Sequence, residues 1–307
     1  MSNIWILGSL NMDTTYEVAQ LPTRGVTLGA KGSHRFAGGK GLNQSVSSAW
    51  TAGNASLIGA LGDDVNGLEI KQLISQYAID TSHLQITGDK PTGTAVIFVD
   101  KNGSNFIVVD GGANLHVGCD DVKFSKGDIL VAQLETNFNA VIHYFELAKQ
   151  SGATTILNPS PFRDMPRKLI SLTDIIVANE HEISGIIQKK VTNFDSITDE
   201  VVAAADGLNV KCIVITLGED GAAVIKNSKM IKAPPRRAEN IIDTQGAGDA
   251  FLGVFVGCLF DGMQIDYAVR FANFVASKCV EKKGSTLMSM PKDREETKRE
   301  FEKLQKE

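Results

Sequence analysis

The sequence predicts an α/β protein: a central, mostly parallel sheet flanked by helices, with a small β-sheet beside it. Two observations carry this expectation. Short, nearly continuous apolar runs alternate with helix-like segments over most of the chain, the pattern of βαβ units whose strands are covered on both faces. Two stretches, 13–36 and 92–110, break that alternation and read as extended, glycine-punctuated β-structure.

The first strand is "IWILG" at 4–8. Its apolar run is far too short to span a bilayer, and it carries neither a basic leader nor a small-residue cleavage site, so it reads as a strand and not a signal. Further strands are expected at "ASLIGALG" (55–62), "DILVAQ" (128–133), "ATTILN" (153–158), "DIIVAN" (174–179) and "KCIVITLG" (211–218). Helices are expected between them at 40–52, 66–77, 138–150 and 196–208. Residues 92–110, "TGTAVIFVDKNGSNFIVVD", read as a hairpin turning at "DKNG". With 13–36 they supply antiparallel candidates for a separate sheet, which we read as a lid. The charged C-terminal "PKDREETKREFEKLQKE" is expected to be a solvated helix. The organisation predicted is one main domain over 1–307, with the lid inserted from about 13–36 and 92–110.

Composition excludes several function classes. Hydrophobic residues are 43% of the chain and charged ones 22%, the balance of a globular protein with a sizeable core. A net charge of −5 argues against a general nucleic-acid binder, which needs a basic surface. It leaves room for one bound nucleotide. No other apolar run reaches membrane length, so no membrane partner is expected. The four cysteines are scattered, which points to reduced thiols and a cytoplasmic setting. "HEISG" at 181–185 begins like a zinc motif but has Gly185 where the second histidine belongs.

The chemistry is concentrated in "DTQGAGDAFLGVFVGCL", beginning at Asp243. Beyond Asp249 apolar residues continue at helical density, which puts Gly246, Ala247 and Gly248 at a helix N-terminus. Unpaired N–H groups and the helix dipole there make an anion hole suited to a phosphate; an acidic first turn alone explains Asp249 equally well. "AGGKGLNQSVSSA" at 37–49 is a second glycine-rich loop feeding a helix, and it is neither a Walker A loop nor G-x-G-x-x-G. "GSLNMD" presents Asn11 and Asp13 two residues apart, able to face one side of an extended segment. Asn, Asp, Lys and Asn are the donors and acceptors a polyhydroxylated ligand needs.

In order along the chain, "GSLNMD", "GGKGLNQ", the hairpin, "GGAN" (111–114), "QLE" (133–135), "LNPSP" (157–161), "NEHE" (179–182), "TLGEDG" (216–221) and "DTQGAGD" resemble the ribokinase-like (PfkB) carbohydrate kinase family, most closely its ribokinase branch. The resemblance covers nearly the whole chain. It implies a Rossmann-like α/β fold with a β lid and an ATP-dependent sugar kinase. The implied reaction moves the γ-phosphoryl group to a sugar hydroxyl, D-ribose giving ribose 5-phosphate.

The resemblance also implies roles. Asp249 would be the catalytic base, beside the anion hole of Gly246, Ala247 and Gly248. Asn11, Asp13, Gly39, Lys40, Asn43 and Glu135 match positions that hold sugar hydroxyls, with Ala95 and Ile97 as apolar cover from the lid. Asn179 and Glu182 match an N-x-x-E motif associated with Mg²⁺ and phosphate. Thr216, Gly218, Gly221 and Gly248 would approach ATP, and Asn273 the adenine. Asp243 would belong to a monovalent cation site, potassium by preference, with Gln245, Cys279, Lys282, Gly284 and Ser289 as companions. A homodimer through the lid sheet is expected.

Three departures from the family pattern stand out. Ala178 replaces a proline usual before N-x-x-E, Gln245 fills a variable position, and the loop "STLMS" (285–289) is one residue longer. Rival readings are a kinase for deoxyribose, a ketose or a nucleoside, and an inactive sugar- or nucleotide-binding regulator. A dinucleotide-dependent oxidoreductase is disfavoured, because G-x-G-x-x-G does not follow strand one.

Overall fold

The computed structural model describes residues 2–101, 104–284 and 286–305. Residues 102 and 103 of the expected "DKNG" turn, and Ser285 of "STLMS", lie outside the described residues. The first strands are β1 (Ile4–Leu7), β2 (Asn11–Val18), β3 (Ala30–Gly38), β4 (Ala55–Gly62), β5 (Ile79–Asp80), β6 (Leu84–Thr87) and β7 (Gly93–Val99). Next come β8 (Asn105–Asp110), β9 (Ile129–Gln133), β10 (Thr154–Asn158), β11 (Ile175–Asn179), β12 (Cys212–Thr216), β13 (Ala222–Lys226) and β14 (Lys229–Ala233). The helices begin with α1 (Lys40–Ala52), α2 (Val65–Ile74), α3 (Phe138–Ser151), α4 (Arg167–Ser171) and α5 (Glu180–Ile187). They continue with α6 (Asp199–Asp206), α7 (Ala247–Phe260), α8 (Ile265–Cys279), α9 (Thr286–Ser289) and α10 (Arg294–Leu304).

The large sheet runs β14-β13-β12-β11-β10-β9-β1-β4-β5, with β6 also paired to β4. From β12 across to β5 the pairs are parallel, as the covered apolar runs predict. An antiparallel hairpin, β13 and β14, closes the other edge. Strand β1 shows why its run is apolar on both faces. Ile4 and Ile6 enter one core cluster while Trp5 and Leu7 enter another.

The second sheet has the order β3-β2-β7-β8. It starts at Asn11, and it corrects the antiparallel expectation at one pair. β2 and β7 run parallel, Asn11 opposite Gly93 and Asp13 opposite Ala95. Each is the outgoing strand of its own hairpin, and both leave the main body at the same place, so they share a direction. Gly93 permits that shared root: a Cβ there would lie 2.2 Å from Asn114 Nδ2 and 2.3 Å from Asn11 Oδ1.

Helices α1 and α7 pack closely because α7 presents glycines. A Cβ at Gly253 would lie 1.9 Å from Ser47 Oγ, and one at Gly257 would lie 2.4 Å from Thr51 Cβ. The buried hydroxyls of α1 are satisfied, Ser45 by the Gly41 carbonyl at 2.7 Å, Thr51 by the Ser47 carbonyl at 2.8 Å, and Ser48 by the Gly253 carbonyl of α7 at 3.3 Å. α10 departs from the solvated helix expected at the C-terminus. Its Phe301 is buried against Tyr267, Phe271 and Phe274. Among the described residues no helix is long and apolar enough to cross a membrane.

Candidate active site

The glycine turn before α7 is the geometric centre of the site. Gly246 is the N-cap, in left-handed backbone at φ 72°, and no side chain caps the helix. The Ala247 N–H is spent on the Thr244 carbonyl at 3.3 Å, while the N–H groups that follow it in the first turn have no carbonyl of α7 to bond. Gly248 is exposed, and a Cβ there would meet nothing within 4 Å. Both glycines line a cavity of about 140 Å³ shared with Lys40, Asn158, Asn179, Glu182, Thr216 and Asp249.

Asp249, in the first turn of α7, is buried and held by two amides from α1. Asn43 Nδ2 donates to its Oδ2 at 3.0 Å and Gln44 Nε2 to its Oδ1 at 2.9 Å. Ser47 Oγ adds a bond to the Asp249 carbonyl at 3.1 Å. The close α1–α7 packing is what brings these groups together.

On the lid side, Asn11 and Asp13 both lie on β2, as their spacing predicts. Asn11 Oδ1 accepts from Asn114 Nδ2 at 2.8 Å. Asp13 Oδ1 and Asn43 Oδ1 are buried acceptors with no donor among the described residues, a costly arrangement that a hydroxylated ligand would relieve. Burial, and then the charge of Glu135, push the Asp13 carboxyl up to about 7. Glu135 Oε2 accepts from Ser9 Oγ and from the Lys40 backbone N–H at 3.3 Å, so it also holds the start of α1, where Gly39 offers no side chain. Burial pulls the Lys40 ammonium down, but Asp249, Glu135 and Glu182 outweigh it and hold its pKa above the usual lysine value. Ala95 and Ile97 are buried on β7, on the face of Asp13.

On the opposite side Asn179 and Glu182 form a reciprocal cap for α5. Asn179 Oδ1 accepts from the Glu182 N–H at 2.8 Å, and Glu182 Oε2 from the Asn179 N–H at 2.9 Å. Thr216, at the end of β12, faces the same cavity. Gly218 has a left-handed φ of 55° with open space where a Cβ would stand. Gly221 serves the turn: a Cβ there would meet the Ala233 carbonyl at 2.5 Å. Asn273 donates to that carbonyl at 3.2 Å, which ties α8 to β14. Neither Gly221 nor Asn273 is among the residues lining the cavity.

Over residues 1–293 the chain matches the model of the pfkB family carbohydrate kinases. The chain belongs to that family. It is 37% identical over 293 residues to the ribokinase of Staphylococcus aureus, covering 92% of this chain and 95% of the relative. It is 30% identical over 290 residues to the deoxyribokinase of Salmonella typhi, covering 92% and 94%. The solved structure of Arabidopsis thaliana ribokinase complexed with ribose and ATP superimposes with a TM-score of 0.87 at 29% identity, covering 98% of this chain and 99% of that one.

Behind the N-terminus of α7 lies a loop organised by Asp243. Asp243 Oδ1 accepts from the Gln245 N–H at 2.9 Å and Oδ2 from the Gly284 N–H at 3.0 Å. Thr286 Oγ1 donates to the Gly246 carbonyl at 3.0 Å. Segment 243–246 is thus tied to both Gly284 and Thr286. Lys282 turns its Nζ to the Met290 carbonyl at 3.1 Å, and Cys279 and Ser289 are buried together. The Asp243 carboxylate and the main-chain carbonyls of this loop are hard oxygen donors, the ligand type of hard cations.

Sequence reasoning missed Ser9, Gln44, Asn114, Gln133 and Asn158, all placed around these groups. "GGAN", "QLE" and "LNPSP" contain three of them, and "GGKGLNQ" contains Gln44. The usable signal was an amide ending an otherwise apolar strand, as Gln133 does in "DILVAQ" and Asn158 in "ATTILN".

Proposed function

We propose that this chain is an ATP-dependent ribose kinase, one domain over 1–307 with a lid from the β3-β2-β7-β8 sheet, converting D-ribose to ribose 5-phosphate. The observation that carries the reading is Asn43. Its Nδ2 is spent on Asp249 while its buried Oδ1 lacks a donor among the described residues. A sugar hydroxyl bonded there lies beside the base.

Asp249 takes the proton of the attacking hydroxyl, whose oxygen forms the new bond to the γ-phosphorus. The bond from that phosphorus to the bridging oxygen breaks, and ADP leaves with the electron pair. Charge on the moving group meets the amides at Gly246–Gly248 and the Lys40 ammonium, so catalysis rests on positioning and electrostatics. Asn11, Asp13, Gly39 and Glu135 hold the other hydroxyls; Ala95 and Ile97 exclude water. Thr216 and Gly218 line the approach of ATP, with Gly221 and Asn273 supporting that wall.

Glu182 would hold the magnesium that accompanies ATP, which would supply neutralisation of phosphate charge. A monovalent cation would be held by Asp243 with main-chain carbonyls of Gln245, Cys279, Lys282 and Gly284 and with Ser289, stiffening the anion hole. The four free thiols suit a reducing cytoplasm. The apolar outer face of the lid supports a homodimer.

A second reading, a deoxyribose kinase, is favoured by the 30% identity to the Salmonella enzyme. An ADP-release assay over pentoses, deoxyribose, hexoses and nucleosides, in potassium and in sodium, separates them. The highest kcat/KM on D-ribose is expected, with more activity in potassium. Turnover of a nucleoside alone would refute the ribose assignment, and equal rates in both salts would refute the role of Asp243.

A further inference from the structure

We infer that Gln44 and Gln133 form a buried relay that positions the base, an inference resting on the assignment of Asp249 above. Both glutamines are fully buried, Gln44 at the start of the second turn of α1 and Gln133 at the end of β9. Gln44 Nε2 donates to Asp249 Oδ1 at 2.9 Å and to Asn158 Oδ1 at 3.3 Å. A carboxylate only accepts, so Gln44 presents its nitrogen to Asp249 and turns its Oε1 away. Gln133 Nε2 meets that Oε1 at 2.5 Å. The direction of the chain, Gln133 to Gln44 to Asp249, is fixed by the charge at its end.

The far members are themselves immobilised. Asn158 Nδ2 donates to the Val177 carbonyl at 2.9 Å. Gln133 is wedged against Gly8, where a Cβ would lie 2.1 Å from its Oε1. With no exposed surface, both glutamines act through Asp249 as positioning residues. What they control is rotation of the Asp249 carboxylate. Gln44 holds one oxygen and Asn43 the other, and only that setting aims the group at a hydroxyl on Asn43. In a buried site such amide bonds are strong when complete and costly when one is lost.

The test is kinetics of Gln44→Glu and Gln133→Leu beside Asp249→Asn, with D-ribose and MgATP. Gln44→Glu keeps the side-chain volume but puts a second carboxylate against Asp249. Two carboxylates sharing a site raise one pKa, so the acid limb of the kcat profile moves up by about one pH unit or more. Helix packing alone would not move it. Gln133→Leu frees the Gln44 amide, and misaligning a reacting group lowers kcat by about 10-fold while KM for ATP stays within about twofold. Thermal melts establish that each variant is folded; if Gln133→Leu is not, the pH profile of Gln44→Glu decides alone. Profiles and kcat matching wild type, with Asp249→Asn inactive, would overturn the relay. An active Asp249→Asn would instead overturn the base assignment beneath it.

Discussion

Asn43 Nδ2 donates to Asp249 Oδ2 at 3.0 Å, joining the first turns of α1 and α7 across 206 residues of sequence. With Gln44 on the other oxygen, Asp249 sits between two donors and is suited to being a carboxylate. An asparagine at 249 turns an NH₂ against one of them and cannot take a proton from an alcohol. Asp249→Asn is expected to lose about 10²–10⁴-fold in ADP-release rate with ribose, the usual contribution of a general base. A near-wild-type rate would refute the assignment.

Asp13 gives a pH dependence of definite sign. Its pKa in the folded protein is raised to about 7, first by burial and then by Glu135, so the folded state holds a proton that the unfolded state has lost. Its contribution to stability is full below the unfolded carboxylate pKa and is lost as pH rises toward 7. Sugar hydroxyls donate to the ionised form, so ribose binding favours that form and tightens as pH rises through about 7. Calorimetric titrations at pH 5.5 and pH 8, in buffers of different ionisation enthalpy, should show tighter binding at pH 8 and proton release at pH 5.5. Asp13→Asn should abolish the proton release. Identical affinity and no proton release in wild type would count against Asp13 as a ligand.

Much of the fold was legible because strands covered on both faces must be apolar throughout, as "IWILG" and "ASLIGALG" are. The β13–β14 hairpin was not, since "AAVIK" and "KMIKA" have neither the alternation nor the length that separates strand from turn. The parallel β2–β7 pair was hidden for another reason: direction is set where strands leave the body, which local pattern does not record. In the site, the helix start at Gly246–Asp249 was readable from local pattern, while a role for Asp249 came only with the family resemblance. Gln44 and Gln133 were not, because a buried amide and a surface amide look alike until the fold supplies the partner. Asp243 was accessible only through family resemblance.

Gly253 links packing to activity. An alanine there puts a Cβ 1.9 Å from Ser47 Oγ, and α1 has to shift, carrying Lys40, Asn43 and Gln44 with it. Gly253→Ala is expected to destabilise the fold by about 1–3 kcal/mol, the range for overpacking, and to lower kcat. Ser47→Ala removes the clashing hydroxyl, so the double variant should recover part of the stability in urea unfolding. Strictly additive losses would show that the contact is not what limits the approach of the helices.

The outer face of the lid predicts assembly. Tyr16 stacks on Phe98 at 5.8 Å, Phe98 lies 6.5 Å from Phe106, and Val108 sits opposite Val96. Phe106 and Val108 are 49% and 52% exposed on edge strand β8. An exposed apolar edge of this kind invites pairing, and a second copy of the same sheet is a self-complementary cover. Wild type is expected to sediment as a dimer. Val108→Asp puts a charge in the middle of that face and should shift the protein to monomer at micromolar concentration, leaving the main-body core intact. A wild-type monomer at those concentrations, or a Val108→Asp variant that remains a dimer, would remove this face from the interface.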